Sequence, residues 1–180
     1  MVRFRKTQDL DPLWLIINAA VGWALYHSRR YDEAIEQLRR TLDLDRNYPI
    51  TYWVLGLVLR KMGSYEQAVA EGQKAVTLSG GSPLMRAAFA QSLGAAGRTE
   101  QALEILNDLA ELARQKYVAP YFFAGIHVGL GESGRAIEYL EKCYEEHSHW
   151  LTYLHMDPGM DALRSDPRFR DLVRRVGLPL

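Results

Sequence analysis

The sequence predicts an all-α fold, namely a right-handed superhelical solenoid of helix-turn-helix repeats with C-terminal capping helices. The first observation is that four alanines recur with a period of 34 residues: Ala34, Ala68, Ala102 and Ala136. The second is that large apolar residues keep the same period: Val21, Leu55, Phe89 and Phe123. A fixed period of this length is typical of stacked helix pairs, because a single pair cannot bury its own apolar face.

Each repeat is predicted to contain two helices separated by a short turn. In the second repeat Tyr52, Leu55 and Leu59 share one helix face, because they follow the i, i+3, i+7 spacing. The turn is marked by glycines one period apart: Gly63, Gly97 and Gly131. Glycine at this place supplies the left-handed conformation that ends a helix. Arg29 occupies the same position in the first repeat.

Two further features indicate closely packed helix pairs. One column of the repeat contains only small residues: Gly22, Gly56, Ala90 and Ala124. Small side chains there let two helix backbones approach, whereas leucine would force them apart. Pro49 and Pro83 open the second and third repeats at the first helical position, where a missing N–H costs nothing.

The chain is predicted to consist of three parts. Residues 1–14 correspond to the second helix of a truncated repeat or to an N-terminal cap, since Phe4 and Pro12 continue the register backward. Residues 15–150 contain four repeats: 15–48, 49–82, 83–116 and 117–150. Residues 151–180 are predicted to form capping helices that cover the exposed end of the last repeat.

Two Asp-Pro pairs mark helix starts in the C-terminal part. Asp157-Pro158 and Asp166-Pro167 each place an N-cap carboxylate before a proline at the first helical position. We therefore expect short helices near 158–164 and 167–176. Their apolar residues are expected to bury the end of the array: Met160, Leu163, Phe169, Leu172 and Val176.

The pattern of residues 15–150 resembles the tetratricopeptide repeat, a 34-residue unit with Leu and Gly in its first helix and Ala and Phe in its second. This resemblance implies a solenoid in which the leading helices, the first of each pair, line a concave groove. The tail from Asp157 to Pro179 resembles the end of repeat modules in bacterial regulatory proteins. That second resemblance implies that the repeats serve a larger regulator.

The resemblance also implies which side chains face the groove. The residues at the groove positions are Ile16, Ala19, Trp23, Tyr26, Ile50, Trp53, Leu57, Arg60, Lys61, Gln91 and Tyr121. Trp23 and Trp53 are the predicted binding anchors, because exposed aromatic patches usually mark contacts. Four cations predict a basic rim beside the first two repeats: Arg29, Arg30, Arg60 and Lys61. The alternative is that these aromatic side chains pack between leading helices or beneath further repeats.

Composition excludes several classes of partner. With 22 basic and 22 acidic side chains the formal net charge is zero, which disfavours a nucleic-acid partner. Cys143 is the single cysteine and cannot form an internal disulfide. No apolar run is long enough to cross a bilayer, so no membrane partner is expected. These observations predict a cytoplasmic protein.

No motif in the sequence indicates catalysis or metal binding. There is no nucleophile motif, phosphate-binding loop or paired-cysteine spacing. His147 and His149 lie beside Glu145 and Glu146, but histidines at i and i+2 do not share a helix face. His127 lies in an apolar column and is expected to be a packed core histidine. We expect no enzymatic activity, no cofactor and no metal.

The predicted function is therefore that of a non-catalytic protein–protein interaction scaffold. It would hold a peptide or partner protein in the concave groove, as part of a larger bacterial regulator. One alternative is self-assembly into homo-oligomers through the N-terminal end, where Phe4 and Leu15 would lack cover. Recognition of single-stranded RNA is a third possibility, which the neutral charge disfavours.

Overall fold

The computed structural model describes residues 15–179, and these residues form helices and turns without any strand. Eight helices form four consecutive pairs: α1 (Leu15–His27) with α2 (Tyr31–Leu44), α3 (Pro49–Lys61) with α4 (Tyr65–Leu78), α5 (Pro83–Ala95) with α6 (Thr99–Ala113), and α7 (Pro120–Gly129) with α8 (Ser133–Glu145). Two 3-10 helices follow, His149–Tyr153 and Pro158–Leu163, and then α9 (Pro167–Arg175). The predicted helix or cap over 1–14 lies outside the described residues.

The helix pairs stack in chain order. Each leading helix packs against the second helix of its own pair and against the next leading helix, in the order α1, α3, α5 and α7. The buried residues form successive apolar clusters along the stack rather than one central core. This arrangement confirms the predicted all-α solenoid of helix pairs.

Close helix packing explains the small residues of the repeat. A Cβ atom added to Gly22 would lie 2.6 Å from Cδ2 of Leu38 on the paired helix. The leading helices α5 and α7 also approach closely, since a Cβ at Gly94 would lie 2.7 Å from the carbonyl carbon of Gly129. Neither position has room for a larger side chain.

The turns within the pairs adopt the predicted left-handed conformation. Gly63, Gly97 and Gly131 all have a φ of 77°. Arg29 stands in the same position of the first repeat and adopts a φ of 59°, although it has a Cβ atom. Non-glycine residues adopt this conformation at a cost, so an interaction of Arg29 elsewhere in the fold must offset that cost.

The fourth helix pair begins later than the period predicts. Helix α7 starts at Pro120 rather than at residue 117. The preceding Ala119 has φ −59° and ψ 129°, which is an extended conformation. A proline disfavours the helical conformation of the residue before it, so Pro120 delays the start of this helix.

The C-terminal part follows the predicted cap signals. Asp157 Oδ1 accepts a hydrogen bond from the Gly159 N–H at 2.7 Å, and Asp166 Oδ1 accepts one from the Arg168 N–H at 2.8 Å. Both predicted N-caps are confirmed. The short helix after Asp157 is a 3-10 helix.

Apolar residues of the C-terminal part lie in one cluster with α7 and α8. Met160, Leu163, Phe169 and Leu172 are almost completely buried there, together with Tyr121 and Leu140. Val176 packs against the same cluster from its edge. The end of the fourth helix pair is therefore covered by the chain that follows it.

Candidate functional site: an aromatic cleft under the C-terminal segment

Residues 149–163, which we name the crossing segment, run across the concave side of the leading helices. Their second 3-10 helix contacts both α7 and α3. The ring of Tyr153 lies 4.9 Å from that of Trp23, measured between centroids. Gln91 Nε2 donates to the carbonyl oxygen of Gly159 at 3.4 Å. The concave side is therefore partly filled by the chain itself.

Asp157 joins the crossing segment to two leading helices. Its Oδ1 accepts a hydrogen bond from the Tyr26 hydroxyl at 3.2 Å, and its Oδ2 accepts one from the Tyr121 hydroxyl at 2.7 Å. The two tyrosines are only 1% and 7% exposed. Burial raises the pKa of both phenols well above the usual value, and the Asp157 carboxylate raises it further. Both tyrosines therefore remain hydrogen-bond donors to Asp157.

Asp161 makes a second connection, through ion pairs. Its carboxylate lies 2.7 Å from Arg29 Nη2, 2.9 Å from Lys61 Nζ and 2.7 Å from Arg164 Nε. Burial alone would raise the pKa of Asp161, but the hydrogen bonds from Arg29, Arg164 and Lys61 lower it well below its usual range. The predicted basic rim is therefore not free, because Asp161 neutralises two of its cations.

A cleft with a cavity of about 60 Å³ remains between the crossing segment and the leading helices. Its walls are mainly aromatic: Trp23, Trp53, Phe122, Trp150 and Tyr153. The rings contact one another, with Trp23 and Trp53 at 6.4 Å and Phe122 and Trp150 at 5.2 Å between centroids. The polar side chains that line the cleft are Tyr26, His27, Arg60, Gln91, Tyr121 and Asp157.

Two polar side chains in the cleft have buried nitrogen atoms without a hydrogen-bond partner among the described residues. One is Trp53, whose indole Nε1 donates to no acceptor. The other is His27, whose ring stacks on Tyr153 and meets Trp23 edge-on. Burial lowers the pKa of His27, although the nearby Asp157 carboxylate favours its protonated form. The cleft is thus apolar with a few unsatisfied polar atoms.

The structure brings seven of the predicted groove residues together around the cleft: Trp23, Tyr26, Trp53, Leu57, Arg60, Gln91 and Tyr121. Four others lie elsewhere. Ala19 is 1% exposed and belongs to the core, and Lys61 is paired with Asp161. Ile50 is half-buried against the apolar cluster of the first two helix pairs, and Ile16 is 62% exposed. The expectation of open aromatic side chains is wrong for Tyr26 and Tyr121, because the crossing segment covers them.

Sequence reasoning missed the residues that the crossing segment adds to the site, above all Trp150, Tyr153 and Asp157. The repeat pattern places groove positions only on the leading helices, and the sequence identifies Asp157 only as a helix cap. A signal was present in the sequence, since Asp157 and Asp161 are carboxylates in a stretch that otherwise contributes apolar residues to the core. Carboxylates in such a stretch need partners.

The other candidate residues have structural surroundings. His127 is buried, stacks on Tyr139 and lies 2.7 Å from Glu132 Oε2 through its Nδ1. Burial raises the pKa of the Cys143 thiol to about 12, which keeps it protonated. Within residues 15–179, no group of His, Cys, Asp and Glu side chains is arranged to hold a metal ion. The described helices are all too short or too polar to cross a membrane.

Comparisons with known proteins agree with the repeat architecture. The sequence profile of the tetratricopeptide repeat matches residues 20–83. No curated protein sequence matches the chain. Two crystal structures of MamA share 19% sequence identity with this chain, and each alignment covers 83% of this chain. The first alignment covers 88% of the MamA chain with a TM-score of 0.55, and the second covers 82% with a TM-score of 0.54. The crystal structure of YrrB, described as a TPR protein with an unusual peptide-binding site, shares 15% identity, with 96% of this chain and 89% of that chain covered and a TM-score of 0.56. At these identities the likeness concerns the fold.

Proposed function

We propose that this chain, which matches the tetratricopeptide repeat profile over residues 20–83 and shares the fold of solved repeat structures, is a non-catalytic interaction module that holds a peptide of a partner protein in the aromatic cleft. The observation that supports this proposal is the pair of half-buried tryptophans, Trp23 and Trp53, on the wall of that cleft. Tryptophan is enriched among the residues that dominate binding energy at interfaces. A side chain inserted into the cleft against these rings would gain apolar burial without displacing the core.

The rigidity of the cleft favours binding of a short segment. Its walls come from four leading helices and from the crossing segment, which Asp157 and Asp161 hold in place. A preformed site lowers the ordering cost of association, which falls on the peptide alone. The peptide-binding site reported for YrrB, which has a similar fold, supports the same kind of ligand here.

The proposal is tested by selecting peptides from a displayed random library on the immobilised protein. We expect selected peptides to bind with measurable affinity, and Trp53→Ala and Trp23→Ala to weaken that binding by about 2 kcal/mol each. The matched control is Tyr65→Ala, because Tyr65 is an exposed aromatic residue on α4, outside the cleft. Circular dichroism establishes that each variant is folded.

Two outcomes would refute this function. One is that no peptide is enriched over a bare support. The other is that enriched peptides bind equally well to the folded tryptophan variants, in which case their site lies elsewhere. A role within a larger bacterial regulator is part of the same proposal, supported by the resemblance of the tail from Asp157 to Pro179.

Self-assembly is a second candidate, because the side chain of Ile16 at the start of α1 is 62% exposed. An exposed apolar residue of this kind is suited to contact a second copy. Light scattering over a concentration series distinguishes the two candidates. A mass that rises with concentration and returns to that of the monomer in Ile16→Glu supports self-assembly, and a constant monomer mass excludes it.

A further inference from the structure

Arg60 is a largely buried residue that lines the cleft without a carboxylate partner. Arg60 lies on α3, is only 7% exposed and lines the cleft. Its Nη1 donates to the hydroxyl of Ser92 at 3.3 Å, and this is a long hydrogen bond to a neutral group. Among the ion pairs within residues 15–179, none includes Arg60, whereas its neighbour Lys61 pairs with Asp161.

The nearby carboxylates are already engaged. Asp157 accepts hydrogen bonds from the hydroxyls of Tyr26 and Tyr121 and from the Gly159 N–H. Asp161 binds Arg29, Lys61 and Arg164. The crossing segment therefore lines the same cleft as Arg60 without supplying an ion pair for it.

Burial of an arginine without an ion pair requires an explanation. The side chain keeps its charge under all ordinary conditions and presents five N–H donors in a planar fork. A charge removed from water is costly unless it is paired and hydrogen-bonded. Since Ser92 accepts only one of these donors, most of the fork has no protein acceptor in the described residues.

We infer that Arg60 binds a carboxylate of the partner peptide, either its C-terminus or an acidic side chain, inserted into the aromatic cleft. The inference rests on the proposed function for the peptide as the source of that carboxylate. It adds the chemistry that the cleft selects and the residue that selects it. The apolar walls contact the stem that carries the carboxylate, and Arg60 neutralises its charge.

The surroundings of Arg60 favour a carboxylate over other groups. A carboxylate is planar and has two oxygen atoms that match the guanidinium fork in a bidentate pair. Trp53 lies on the same face of α3, and its indole N–H offers one more donor without an acceptor. A cavity of about 60 Å³ accommodates a group of this size. A phosphate dianion would leave a net negative charge in an apolar cleft, which is unfavourable.

The test uses the ¹⁵N-labelled full chain and two probes of nearly equal shape, phenylacetate and its neutral amide, phenylacetamide. Each probe is titrated while the indole N–H resonance of Trp53 is followed. This resonance is assigned by its absence from the spectrum of the Trp53→Phe variant. We expect phenylacetate to shift this resonance saturably and to bind about tenfold or more tightly than the amide, as for hydrogen bonds between charged groups. Inorganic phosphate is the third probe and is expected to leave the resonance unchanged.

Variants assign the effect to Arg60. Arg60→Gln is expected to weaken phenylacetate binding about tenfold and to abolish the preference over phenylacetamide. Arg60→Lys keeps the charge but lacks the fork, so an intermediate loss is expected. Arg39→Gln is the control for net charge, because Arg39 is an exposed residue of α2 outside the cleft. If the Arg60→Gln variant does not fold, the comparison of phenylacetate with phenylacetamide on the unaltered protein still decides whether the cleft prefers a carboxylate.

The inference is overturned if phenylacetamide binds as well as phenylacetate, if phosphate competes with phenylacetate, or if no probe shifts the Trp53 resonance. It is also overturned if the Arg60→Gln variant binds phenylacetate as tightly as the unaltered protein. The proposed function has a separate outcome. Suppose that binding of the library peptides depends on Trp23 and Trp53 but is unaffected by C-terminal amidation of the peptide and by Arg60→Gln. This result would support peptide binding and reject recognition of a carboxylate by Arg60. If phenylacetate binding depends on Arg60 but the protein enriches no peptide, carboxylate binding by Arg60 is supported and the proposed peptide-binding function is rejected.

Discussion

The hydroxyl of Tyr121 lies 2.7 Å from Oδ2 of Asp157, and this contact connects the last leading helix to the segment that crosses the concave side. Oδ1 of the same carboxylate accepts from Tyr26 on the first leading helix. One side chain therefore connects α1 and α7, the first and the last leading helices among the described residues. A stack of helix pairs that is closed in this way has a cleft where an open stack would have a groove.

Removal of Asp157 is predicted to destabilise the whole fold. Asp157→Ala leaves the hydroxyls of Tyr26 and Tyr121 buried without an acceptor and also removes an N-cap. We expect a loss of about 2 to 4 kcal/mol in the free energy of unfolding, measured by urea denaturation. Asp43→Ala, at an exposed position of α2, serves as the control. Equal stability of the two variants would show that the contact contributes nothing.

The ion pairs of Asp161 are predicted to make stability depend on acid pH. The folded state lowers the pKa of this carboxyl, so the unfolded chain binds the proton more readily. The stabilisation is complete above the unfolded pKa of about 3.9 and is lost as pH falls toward the folded value. Asp161→Asn should therefore cost about 1 kcal/mol at pH 7, since the pairs are partly exposed. The difference from the unaltered protein should shrink below about pH 4 in denaturation measurements.

His27 is predicted to have the opposite kind of pH dependence from an ordinary ion-paired histidine. Burial lowers its pKa below the usual value of 6.5, so the unfolded state takes up the proton first. Stability should fall as pH decreases from about 6.5 toward the folded pKa, and then level off. His27→Gln should flatten this part of the stability profile. A ¹³C-edited NMR titration that gives His27 a pKa above 6.5 would contradict the prediction.

Arg29 is predicted to combine backbone strain with a stabilising ion pair. Its φ of 59° favours glycine, while its guanidinium binds Asp161. Arg29→Ala loses the ion pair and keeps the strain, whereas Arg29→Gly loses the ion pair but relieves the strain. We expect the alanine variant to be about 1 kcal/mol less stable than the glycine variant. Thermal denaturation of the two measures this difference.

A matched control for that comparison comes from the second repeat. Gly63 has a φ of 77° and no atom lies within 4 Å of an added Cβ. Gly63→Ala should therefore cost about 1 kcal/mol through the backbone alone. If both alanine variants are as stable as the corresponding glycine forms, the left-handed turns do not constrain the sequence.

Much of the repeat architecture could be predicted from the sequence because its causes are local or periodic. Pro49 and Pro83 begin helices since proline is suited to the first helical position, and the structure begins helices there. The left-handed φ of Gly63 and the N-cap of Asp166 follow from equally local chemistry. The delayed start of α7 at Pro120 shows that such a local rule prevails over the period where the two conflict.

The candidate site could be predicted only in part. Trp23, Trp53 and Arg60 were placed at the groove by their position in the repeat, and they do line the cleft. The sequence did not indicate that Tyr26 and Tyr121 are covered, because the covering residues follow the last repeat and have no periodic position. Lys61 was expected at a free basic rim, but Asp161, 100 positions later in the chain, pairs with it.

The amino-acid sequence alone determined the helix pairs, their stacking order and their caps, since these depend on the spacing of apolar residues and on single residues such as Gly63 and Asp166. Tertiary structure alone decided that the chain after Tyr153 returns across the concave side, so that Asp157 meets Tyr26 at a separation of 131 positions. The physical reason is that contacts between distant residues depend on the path of the whole stack. The same path buried Arg60 without an ion pair.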